Sequence, residues 1–154
     1  MIQVGTEWPF HKFYFLSRQE YPYPHNEWHR AIKATTPDVS ISYEVLSYIS
    51  YTLFWIPTYS VLGQKRGYGV YATEATILDS VSAPSAISIL GSWANLIKSG
   101  PEAIEIAIFY DSDIGEHIKL LFGRDSFVQG IASLVSYLSR SLDNSDLYIL
   151  HIGI

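Results

Sequence analysis

The stretch DSFVQGIASLVSYLSRSLDNSDLYILHI, Asp125 to Ile152, decides the fold. Phe127, Ile131, Leu134, Val135, Leu138 and Leu142 recur at helical spacing, so one face of this segment is apolar and the other polar. Asp125 or Ser126 is the expected N-cap, because a short oxygen-bearing side chain can accept a free amide of the first turn. Asp143-Asn144-Ser145 ends the periodicity, and Leu147 to Ile152 then reads as a strand. A strand this apolar must be docked in a sheet rather than loose. An amphipathic helix running directly into a core strand requires helices laid on a sheet.

Working outward, Ser85 to Ser99 has the same helical spacing, with Ala86, Ile89 or Leu90, Trp93, Leu96 and Ile97 on its apolar face. Gly100-Pro101 stops it. Between the two helices, Ala103 to Tyr110 is an apolar run broken only by Glu105 and reads as a largely buried strand. His117 to Phe122 follows as a second strand after an acidic loop. Upstream, Val39, Ile41, Tyr43 and Val45 alternate with polar or small residues, and Ile49, Tyr51, Leu53 and Trp55 do the same, which predicts two strands. Thr58 to Leu62 and Tyr68 to Thr73 flank Gly63-Gln64-Lys65-Arg66-Gly67 as a hairpin. Ile2 to Val4 and Lys12 to Leu16 are extended candidates. Tyr21-Pro22-Tyr23-Pro24 forms a turn or rigid loop, and HNEWHRAIKA after it predicts a short helix with Trp28 and Ile32 on one side. The expected architecture is a single α+β domain over residues 1–154, an antiparallel or mixed sheet packed by two to three helices.

Composition agrees. The 154 residues are 48% hydrophobic and 16% charged, enough for one sizeable core, and twelve Tyr and four Trp argue against a disordered polymer. The net charge of −5 disfavours nucleic acid and anionic membranes and favours basic partners. The absence of cysteine rules out disulfides and thiolate metal sites, and a reducing, cytoplasmic setting is the simplest expectation. No export signal is evident in MIQVGTEWPFHKFYF. The apolar stretch from Tyr48 to Leu62 is studded with hydroxyls, broken by Pro57 and shorter than the ~20 residues of a spanning helix, so it reads as strand and not membrane.

Two constellations carry possible chemistry. His25 and His29, four apart on the expected helix, could share one metal ion, although the metalloprotease pattern is missing and a third ligand would have to come from elsewhere; the bland alternative is a solvated helix start. Asp111-Ser112-Asp113 after a strand, with Glu116 nearby, could hold a divalent cation and a nucleotide phosphate, or form an acidic protein contact, or simply make a turn. No glycine-rich phosphate loop and no Gly-x-Ser-x-Gly elbow occurs, so neither a nucleotide-binding nor a serine-hydrolase motif is present. His151 inside the closing strand reads as a core or edge residue rather than a base, and Lys65-Arg66 as a solvated turn. No catalytic residue and no cofactor are predicted.

The segments GYGVYATEATI, then GSWANLIKSGPEAI, then the strand, last helix and ending LYILHIGI resemble bacterial immunity proteins of polymorphic toxin systems in texture and segment order, over Tyr68 to Ile154. That resemblance implies a cytoplasmic protein that is not an enzyme and that neutralises a cognate toxin, often a basic nuclease, by covering an essential surface. Asp111, Asp113, Glu116 and Tyr68 are then the expected contact residues. The competing expectations are a small metal-binding or nucleotide-dependent enzyme using His25/His29 or the Asp111/Asp113 loop, and a subunit of a larger assembly.

Overall fold

A computed structural model describes residues 1–5, 9–22, 35–71 and 73–153. The elements among these residues are β1 (Ile2–Val4), β2 (Phe10–Ser17), β3 (Val39–Ser42), α1 (Tyr43–Leu53), β4 (Pro57–Ser60), β5 (Lys65–Tyr68), β6 (Ala75–Leu78), α2 (Ala83–Lys98), β7 (Ala103–Asp111), β8 (Glu116–Gly123), α3 (Arg124–Asp143) and β9 (Leu147–Ile152). The closing strand β9 is the middle of a seven-stranded mixed sheet in the order β1-β3-β2-β9-β6-β4-β5, with β1 parallel to β3 and the other pairs antiparallel. Among the described residues β7 and β8 form a separate two-stranded ribbon. The architecture is α+β.

β9 carries apolar side chains on both faces because both faces are covered. Ile149 joins the large core made with the buried faces of α1, α2 and α3. Tyr148, Leu150 and Ile152 point the other way into a second cluster with Tyr14, Leu16, Val61 and Ile77. Such two-sided burial is what turns an alternating strand pattern into a continuous apolar run. Helix α3 lies against β9 and β1, and the approach is close at Gly130, where a Cβ would meet Val4 Cγ2 at 2.7 Å. At the other end of the sheet Asp79, 1% exposed, follows β6. Its carboxylate accepts both guanidinium arms of Arg66 from β5 and the amide of Val81 at the start of α2. Arg18 approaches the same carboxylate at 3.9 Å. The ion pair joins the β4–β5 hairpin to the root of α2.

Several expectations need correction. Ile49 to Trp55 is not a strand, and Tyr43 and Val45 do not extend β3, because Tyr43–Leu53 is a helix. Val45, Leu46, Ile49 and Leu53 are buried, the 3.6-residue spacing, while Tyr51 and Trp55 face solvent. The many β-branched and aromatic residues favoured a strand locally, and packing on α2 overrode that preference. Trp93 stands half-buried at this helix contact, donating its indole N–H to Thr52 Oγ1 at 2.8 Å, rather than fully inside the core. The hairpin exists, but its turn is Val61 to Gln64 and its second strand is Lys65–Tyr68, not Tyr68 to Thr73. Arg66 is accordingly a strand residue holding Asp79 instead of a solvated turn charge. β6 was missed because four residues carry too little periodicity. The N-cap of α3 is Gly123, with Asp125 and Ser126 already in the first turn. The helix expected after Pro24, with His25 and His29, lies outside the described residues.

Candidate functional site

The β7–β8 ribbon departs furthest from its expected burial. Its base packs on the body through Ile106, Leu120 and Phe122, which are buried in the main core beside Phe127 of α3. Beyond that base the strands emerge from the fold. Phe109, Tyr110 and Ile114 are 55%, 58% and 60% exposed, so β7 is a projecting strand and not a largely buried one, and Leu121, on the outward face of the base, is 58% exposed. A register shift between Ala107 and Phe109 marks a bulge where the strand leaves the core, a device that re-aims side chains.

The tip is built by ordinary turn chemistry. Asp111 Oδ1 accepts the amide of Asp113 at 2.9 Å, and Gly115, at φ +72°, closes the turn by donating its amide to the Asp111 carbonyl. Asp113 and Glu116 stand in solvent, and the Tyr110 ring meets the edge of His117 across the ribbon at 5.2 Å. Along the shaft, Lys119 Nζ lies 2.8 Å from Glu105 Oε1. The ribbon, Ala103 to Gly123, holds four acids, Glu105, Asp111, Asp113 and Glu116, against Lys119 alone, a net charge of −3 out of the chain's −5. Acid and exposed apolar surface therefore coincide on one projecting element.

The structure thus brings Asp111, Asp113 and Glu116 together at one tip, and places Tyr68 elsewhere. Tyr68 is exposed at the end of β5, the outermost strand of the main sheet, whose neighbour is β4. Phe109 and Tyr110 are exposed where an apolar run is expected to be buried, and Ile114 stands within the acidic loop itself. The signal available was the spacing of acids through and around that run. Tyr51, Phe54 and Trp55 at the end of α1 form further exposed aromatic surface, missed with the helix itself.

Among the described residues no group of three His, Asp or Glu side chains is placed to hold a metal ion. His151 is fully buried, as a core reading requires, and its Nε2 lies 2.7 Å from Nδ1 of buried His11. Burial lowers the His11 pKa to about 4. Burial, and then the neighbouring His11, push His151 well below the usual histidine range. Both rings are neutral near pH 7. No helix among the described residues is long and apolar enough to cross a membrane. Comparison of the chain with protein-family models, curated proteins and solved structures finds no match.

Proposed function

We propose that this chain is an immunity protein that binds and neutralises a cognate bacterial toxin, and that the β7–β8 ribbon is the contact arm. The observation that carries this reading is the coincidence, on one projecting element, of a net charge of −3 out of the chain's −5 with exposed Phe109, Tyr110 and Ile114. Charge of one sign concentrated at a protruding tip accelerates encounter with a basic partner, and apolar side chains beside it supply the desolvated centre that holds the complex. A basic nuclease cleft fits both requirements. The partner is a protein and the chain itself performs no chemistry in this role.

The test is binding to the toxin domain encoded beside the gene. Asp111→Asn, Asp113→Asn and Glu116→Gln together keep the turn acceptors and remove the charge, so the association rate falls about tenfold or more at low salt and the Tm stays within about 2 °C. Phe109→Ala with Tyr110→Ala raises the dissociation rate instead, with a loss of about 2 kcal/mol or more. Unchanged binding in both variants overturns the assignment of the ribbon, and the lack of any toxin gene beside this one counts against the immunity role itself. The exposed aromatics of α1 favour a second reading, a subunit of a larger assembly, for which self-association in sizing at high concentration is the expected result.

A further inference from the structure

Ser60, Thr76, His151 and Phe13 stand opposite one another on β4, β6, β9 and β2, so strand alternation puts their side chains in one row on the helix-bearing face. His11 extends the row through its contact with His151. The middle of this row is polar and incomplete. Thr76 is 1% exposed and its hydroxyl has no hydrogen-bond partner, and His151 Nδ1, also buried, has none. Buried polar atoms are seldom left bare, and two on directly opposed residues point to a missing polar group. Thr76 is also part of the floor of a groove of about 390 Å³ over the β4–β5–β6 end of the sheet. That size lies within the range of about 300–1,000 Å³ common for small-molecule sites.

The lining identifies the chemistry. Ser60 and Thr76 offer hydroxyls, Tyr71 an aromatic wall, and Lys65 and Glu74 one charge of each sign. Neither Lys65 nor Glu74 is in an ion pair among the described residues. Arg66, which also borders the groove, is held by Asp79. A lone anion would meet Glu74 and a lone cation would meet Lys65, whereas a molecule carrying both charges matches both walls. We propose that this groove binds a free amino acid, its carboxylate taken by Lys65 and the Thr76 hydroxyl and its ammonium by Glu74, with the side chain against Tyr71. The site lies on different elements from the ribbon and stands independently of the immunity role.

Thermal melts of the full chain with each of the twenty amino acids test this, with acetate, ethanolamine and glucose as single-charge and neutral controls. At least one amino acid raises the Tm in a saturable way, by roughly 5–10 °C at a hundredfold excess over Kd, and the three controls leave it unchanged. Thr76→Val removes the bare hydroxyl, so the Tm without ligand holds or rises while the ligand-induced rise shrinks at least tenfold in apparent affinity. Gly67→Val narrows the groove without a clash, since a Cβ there meets no atom within 4 Å, and shrinks the rise while the protein stays folded. The proposal is overturned if no amino acid shifts the Tm, if acetate, ethanolamine or glucose shifts it equally, or if the rise is undiminished in both Thr76→Val and Gly67→Val.

Discussion

β9 and β7 are near-twins as sequence and opposites as structure. LYILHI and AIEIAIFYD are both short, apolar and rich in strand-forming residues. β9 has β2 and β6 on its two edges, helices over one face and a second apolar cluster under the other. β7 pairs with β8, and beyond Ile106 it leaves the core. An apolar run therefore reports that a segment will be extended, while its burial depends on how many neighbours the topology gives it. Where the neighbours are few, apolar side chains remain available to a partner.

The largest effect separates the two strands directly. Leu150→Ala, at a fully buried position of β9, costs about 4 kcal/mol, enough to unfold much of a marginal domain, whereas Leu121→Ala on the ribbon costs less than about 1 kcal/mol. Urea melts of both variants measure the difference, and equal losses would break the contrast. The ion pairs sharpen it next. Arg66→Met takes the two-armed ion-pair partner from the buried Asp79 carboxylate and costs about 2–3 kcal/mol, while Glu105→Gln opens the exposed Lys119 pair for about 0.5 kcal/mol or less.

The smallest effect concerns protons. His11 and His151 are neutral in the fold with pKa values depressed by burial, so the unfolded chain binds more protons than the native one below the ordinary value of 6.5. Stability from these rings is present above pH 6.5 and is lost as pH falls toward the His11 value of about 4, at up to ~1.4 kcal/mol per pH unit for each ring. His11→Gln should flatten that slope by one ring's share in chemical melts at pH 4.5 to 7. An unchanged slope would show that this histidine does not titrate with folding.

Legibility followed length and period. α2 and α3 run sixteen and twenty residues, long enough for a 3.6-residue stripe to stand out. α1 runs eleven, and Tyr48, Tyr51 and Trp55 blurred its stripe because a surface aromatic is indistinguishable from a core one by type alone. The acids at the ribbon tip were legible as a cluster, since they are close along the chain. The row from Ser60 through Thr76 to His151 and His11 was not, because its members come from four strands spread across the chain.

By itself the sequence determined the α+β class, the two long helices, the docked closing strand and the acidic loop, because each is written in contiguous residues through periodicity or charge. Only the tertiary structure decided which apolar strand became the centre of the sheet and which became a projecting ribbon. It also decided that Arg66 closes on Asp79 and that Thr76 stands bare beside buried His151. Those outcomes depend on strand order and register, which bring together residues that no local pattern connects.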